Sequence, residues 1–85
     1  MESGVPRDKA AGALLRELRE NRGLSPEQMP HALLAAGFEP VSGPTIRRIE
    51  REGMIPHIRN RFALAQFFGR EVTELWRPRR QRVAA

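Results

Sequence analysis

Apolar residues recur along this chain at helical spacing, in five short segments punctuated by glycine and proline. Between residues 9 and 22, Ala11, Leu14, Leu15 and Leu18 follow the i, i+3, i+4, i+7 rule of one buried helix face. Asp8 can cap that helix, Gly23 stops it, and Leu24 folds back onto it. Ser25-Pro26-Glu27-Gln28 signals a second start, with a capping Ser, Pro at the first helical position and Gln closing a capping box. Met29, Leu33 and either Leu34 or Ala36 form its buried side, and Gly37 ends it. Pro30 removes a backbone bond from a helix begun at Pro26, so a start at Pro26 and one near Pro30 both remain open. Phe38 to Val41 reads as a connection with those two residues as apolar anchors. Ser42 caps a third helix, 43–52, which Gly53 ends. Pro56 opens a fourth, 57–68, with Ile58, Phe62, Ala65 and Phe68 inward and Gly69 as its stop. A fifth, 71–76, carries Val72, Leu75 and Trp76. No segment alternates like a strand and none repeats. The expected fold class is therefore all-α, a compact bundle of about five short helices over residues 8–76. A loose arm, 1–7, precedes it, and a basic tail, 77–85, expected to be disordered in isolation, follows.

The third helix has two faces of opposite character. On a wheel advancing about 100° per residue from Ile46, Ile49 falls near 300°, while Arg47, Arg51 and Arg48 fall near 100°, 140° and 200°. Three guanidiniums thus fan out from a helix whose back is anchored in a core. The planar Arg fork matches phosphate oxygens and the O6/N7 edge of guanine. A solvated Arg-rich face is the alternative for an isolated helix.

Charge distribution favours the first reading. Residues 1–40 hold five basic and six acidic side chains; residues 41–85 hold ten arginines and four glutamates. The net charge of +5 is thus concentrated in the second half, which points to a polyanionic partner. At 85 residues the chain makes one domain with one small core. Without cysteine it can form neither a disulfide framework nor a thiolate metal site. No apolar run approaches the ~20 residues of a membrane span, and the N-terminus lacks a secretion pattern, so a cytoplasmic location is expected.

LRELRENRGLS (Leu15 to Ser25), TIRRIE (Thr45 to Glu50) and PHIRNRFALAQFFGREVTELW (Pro56 to Trp76) occur in this order and at a spacing that is informative jointly. With these segments the chain resembles the phage-repressor class of helix-turn-helix proteins, the lambda repressor and Cro type, also called the XRE family. About 60 of the 85 residues are covered. The resemblance implies that the second and third helices form a DNA-binding unit whose third helix enters the major groove. It implies base contact by Arg48, with Arg47 and Arg51 beside it. Ser42, Gly43 and Thr45 would lie at the start of the recognition helix, near phosphates. Arg59, Asn60 and Arg61 would meet phosphates at the start of the fourth helix. Glu50 falls near 40° on the third-helix wheel, beside the isoleucines, where a carboxylate needs a partner. The resemblance supplies one: Arg19, in a structural ion pair.

The chain departs from the family in three places. Met29 to Thr45 is about six residues longer than in short-turn members, so the connection between helices two and three is extended by a longer helix or a bulging loop. Gly43 and Pro44 offer no side-chain hydrogen bonds where polar residues often read bases, and Pro26 stands where a Gln often holds a phosphate; Gln28 is the candidate substitute. Arg61 falls among the apolar positions of the fourth helix, to snorkel or to meet a phosphate. Phe67 faces away from that core, which suggests, with Trp76, a homodimer contact. Trp76 closing the core is the competing reading.

Other chemistry has little support. His31 and His57 lack an acidic cluster at ligand spacing, so no metal is expected. No serine has a nucleophile context and no glycine-rich phosphate loop exists, so neither an enzyme nor a cofactor or small-molecule site is expected. The expectation is a duplex-DNA-binding transcription regulator, a repressor more than an activator. An antitoxin-like protein-interaction module and a DNA-bending recombination accessory factor are the alternatives.

Overall fold

Asp8 accepts a hydrogen bond from the Ala11 amide at 2.9 Å and so opens the first helix, α1, Lys9–Asn21. The computed structural model describes residues 6–78 of the chain. Four helices follow α1: α2, Met29–Ala35; α3, Gly43–Glu52; α4, Ile58–Phe67; and α5, Val72–Leu75. Among the described residues there is no strand, only an isolated antiparallel bridge between Arg7 and Met54. Residues 1–5 and 79–85, most of the expected arm and tail, lie outside the described residues.

The core gathers Leu15 from α1, Met29 and Leu33 from α2, Val41 from the following loop, Ile46 and Ile49 from α3, Leu64, Ala65 and the adjoining Phe68 of α4, and Leu75 with Trp76 at the chain's last packed turn. No helix of the described residues is long and apolar enough to cross a membrane.

Both readings of the second helix's start hold in part. Ser25 and Gln28 form the capping box: the Ser25 amide donates to Gln28 Oε1 at 2.8 Å, and the Gln28 amide donates to Ser25 Oγ at 3.2 Å. This box encloses only a turn. Regular helix starts at Met29, with Pro30 in its first turn, where the missing amide is harmless. The α2–α3 connection is a loop, because α2 ends at Ala35 and α3 starts at Gly43. Phe38 and Val41 pin that loop to the core, whereas Leu34 and Ala36 are exposed.

Helix α1 packs most extensively on α3. Gly12 makes this possible: a Cβ there would overlap the carbonyl oxygen of Ile49. At the far end of α3, Gly53 takes the left-handed conformation, φ 77°, and its carbonyl accepts the Asp8 amide at 2.7 Å.

The fourth helix corrects the expected register. Ile58 and Phe62 are exposed, at 59% and 54%, and the buried positions are Ala63, Leu64, Ala65 and Phe68. Its core side runs through Arg61, Leu64, Ala65 and Phe68, rotated by roughly 60° from the expected face. Arg61 is half-buried there because its Nε donates to the Pro56 carbonyl at 2.8 Å.

Candidate nucleic-acid interface

Helix α3 is built to be rigid and to present arginine. Ser42 is its N-cap: Ser42 Oγ accepts the Thr45 amide at 3.3 Å and donates to Thr45 Oγ1 at 2.9 Å. Pro44 occupies the first turn, where it needs no amide partner. Gly43 is buried against the Pro26 carbonyl, which seats the start of α3 on the turn before α2. Ile46 and Ile49 are fully buried. Arg47, Arg48 and Arg51 are all exposed on the remaining surface.

Behind this face, Arg19 and Glu50 form a two-point ion pair. Arg19 Nε donates to Glu50 Oε2 at 2.7 Å and Nη2 to Oε1 at 2.8 Å, with both side chains more than nine-tenths buried. Arg19 Nη1 also donates to the Leu24 carbonyl at 2.7 Å. One guanidinium therefore ties α1, the turn after it and α3 together. The hydrogen bonds that Arg19 donates to Glu50 raise the Arg19 pKa above its ordinary value, and partial burial opposes that shift.

The exposed arginines differ in their surroundings. Arg47 pairs with Glu27 from the turn before α2. Arg48 lies 3.8 Å from Glu52 one turn on, a solvent-exposed pair that holds it weakly. Arg51 has no ion pair among the described residues. Arg47 and Arg51 share a recess of about 240 Å³ with Arg16, Arg19, Pro26 and Glu50. Gln28 is exposed, its side-chain oxygen held by the Ser25 amide.

The chain matches no family model, no curated protein and no solved structure. What the site can do therefore rests on its own geometry.

Other candidate residues lie elsewhere. Arg59 is exposed and Asn60 half-buried at the start of α4. Arg61, besides bonding Pro56, lines a separate recess of about 750 Å³ with Arg7, Lys9, Trp76 and Arg77. The candidate dimer contacts, Trp76 and Phe67, both take part in packing within the chain. Trp76 is 5% exposed and closes the core. Phe67 is half-buried, meets Phe68 edge-on at 4.9 Å, and lies under the Arg22 guanidinium, 5.1 Å from its ring centre. Neither ring is a free surface. Among the described residues, the exposed large apolar side chains are Leu34, Ile58 and Phe62. His31 and His57 are both exposed, and among the described residues no three His, Cys, Asp or Glu side chains come together as a metal would require.

Three residues at this face escaped the sequence reading. Arg16 gave a faint signal, one helical turn before Arg19. Glu27 read only as part of the start of the second helix. Gly12 gave the strongest hint, because a glycine inside a helix costs about 1 kcal/mol relative to alanine and so calls for a packing reason.

Proposed function

We propose that this protein is a sequence-specific double-stranded DNA-binding transcription regulator of the phage-repressor and Cro kind, with α2 and α3 as a helix-turn-helix whose connection is extended and α3 as the helix that enters the major groove. The single observation that carries the reading is the two-sided character of α3. Ile46 and Ile49 are buried, Glu50 is clamped by Arg19, and Arg47, Arg48 and Arg51 face outward together. A groove-reading helix needs a fixed back and a donor-rich front. The net positive charge after residue 40 gives the electrostatic attraction that precedes base reading. Repression needs only occupancy, since a bound domain of this size excludes other proteins from the DNA it covers. Phe67 and Trp76, the aromatic residues a protein-interaction module would present, are both drawn into packing.

Arg48 is the first residue to test, because it stands outside the arginine-lined recess and is held only by a long contact to Glu52. The experiment is in-vitro selection from random duplexes at about 150 mM salt, where non-specific binding is weak. Wild type and Arg48→Ala are run side by side. A discrete motif with one base preference lost in the variant supports the reading. Absence of any enriched motif, with identical results for the variant, refutes it.

A further inference from the structure

We propose that the recess between α1 and α3 is a phosphate-binding notch that seats a backbone phosphodiester of the duplex, with Arg16 of α1 and Arg51 of α3 as its working walls. The proposal rests on the reading of α3 as a DNA-facing helix and adds a second element, α1, to the interface.

The recess is polar, and at about 240 Å³ it is smaller than the ~300–1,000 Å³ pockets that hold organic ligands. Four guanidiniums and one carboxylate line it. The carboxylate, Glu50, has both oxygens taken by Arg19, so that pair is internally neutral and forms the floor. Three guanidiniums are left without a buried counter-charge. Arg16 and Arg47 hold Glu20 and Glu27 only through exposed contacts, with side chains 43–63% accessible, so water screens those pairs and they exchange readily. Arg51 holds none among the described residues. A concave, cationic space with forked donors suits a tetrahedral dianion or a phosphodiester.

Free phosphate and a nucleic-acid backbone share this chemistry. Position favours the backbone. Arg47 belongs both to the recess and to the outward face of α3, and a helix lying in a major groove is flanked by phosphates on each side. On this assignment Arg51 leaves the base-reading set and joins the phosphate set.

The test measures affinity against salt for wild type, Arg16→Gln, Arg51→Gln and a control, Arg70→Gln, whose exposed side chain lies outside the recess. Each protein is titrated with its selected duplex and with a scrambled one. Arg16→Gln and Arg51→Gln are expected to weaken both duplexes by the same factor, about tenfold, and to reduce the slope of log affinity on log salt by about one. The selected motif stays unchanged, as does the control's slope. Thermal melts verify that the variants are folded. An Arg16→Gln slope equal to that of Arg70→Gln overturns the notch while leaving the groove reading intact. A changed base preference in Arg16→Gln overturns the backbone assignment. Conversely, a wild type that selects no motif but still loses one unit of slope on Arg16→Gln keeps the notch and defeats the groove reading. Inorganic phosphate is titrated into the DNA-free protein as a separate arm. Millimolar phosphate that raises the melting temperature of wild type but not of Arg16→Gln, with duplex binding unaffected by the variant, makes the recess a free-anion site and overturns the proposal.

Discussion

Arg19 and Glu50 stand 31 positions apart and meet through two hydrogen bonds of 2.7 and 2.8 Å, so one side-chain pair reinforces the packing of α3 on α1. Removing one partner leaves the other charged in a site with little water. Arg19→Ala and Glu50→Ala should each cost about 3 kcal/mol, the low end for a buried pair because the site lies at the edge of the core. Replacing both, as Arg19→Met with Glu50→Leu, should recover much of that stability. Urea denaturation of the three variants checks this. The pair's cation does not titrate near neutrality. With its folded pKa raised, the Arg19 contribution is complete at every pH below the ordinary guanidinium range and is lost only in strong alkali.

Gly12 lies where α1 meets the backbone of α3. Helix propensity alone predicts that Gly12→Ala stabilises the protein by about 1 kcal/mol. The Ile49 carbonyl decides otherwise, because it is backbone and cannot rotate away. Overpacking of this kind costs about 1–3 kcal/mol, so the net effect should be a loss of up to about 2 kcal/mol. A gain in melting temperature would show that the two helices are not in close approach.

The fourth helix separates exposed from buried phenylalanine. Phe68→Ala should cost about 3–5 kcal/mol, since Phe68 is 6% exposed within the core cluster. Phe62→Ala should change stability by less than about 1 kcal/mol. Equal losses in the two variants would restore the periodicity read from the sequence.

That register error shows where sequence reading stops. Helices α1 and α3 have polar residues on one side and apolar residues on the other, so their buried residues, caps and glycine stops were legible. Helix α4 carries Ile58, Phe62, Leu64, Phe67 and Phe68 on several sides, and no single stripe stands out. Its true core face includes Arg61, whose place among the apolar positions showed on the wheel but whose partner did not. The Pro56 carbonyl that satisfies Arg61 could not be located before the fold was known. In the candidate site, the α3 arginines were legible from the helix wheel. Arg16 and Glu27 were not, because each meets that face through tertiary packing of another segment. The place of the longer α2–α3 connection was also open, since the same residues could extend the helix or bulge. Gly37, in the left-handed conformation at φ 92°, and the anchoring of Phe38 and Val41 decide for the loop.

Ser42 holds the first turn of α3 through the Thr45 amide and hydroxyl. Ser42→Ala should cost about 1 kcal/mol of stability through loss of the cap. If these groups also lie near phosphate on the proposed reading, Ser42→Gly separates the two effects. Glycine caps nearly as well, so Ser42→Gly should retain most of the stability and lose only the affinity that the hydroxyl contributes. Chemical denaturation and fluorescence anisotropy with a labelled duplex give the two quantities.

Glu27 pairs with Arg47, and on the proposed reading it competes with DNA for that guanidinium. The pair is exposed on both sides, so it contributes under about 1 kcal/mol to folding, and Glu27→Gln should leave stability within about 0.5 kcal/mol of wild type. The same change removes an acidic side chain from the face proposed to meet a polyanion and releases a guanidinium. Affinity for duplex should therefore rise about two- to fivefold at about 100 mM salt, the equivalent of the ion pair's energy. The gain should shrink as salt increases, because both the lost repulsion and the freed attraction are screened. Anisotropy titrations at three salt concentrations test this, with Glu39→Gln as an exposed acidic control in the α2–α3 loop. A larger gain from Glu39→Gln would shift the DNA-facing surface toward that loop and away from Arg47. Equal, small gains from both would mean that only net charge matters and that Arg47 makes no specific contact.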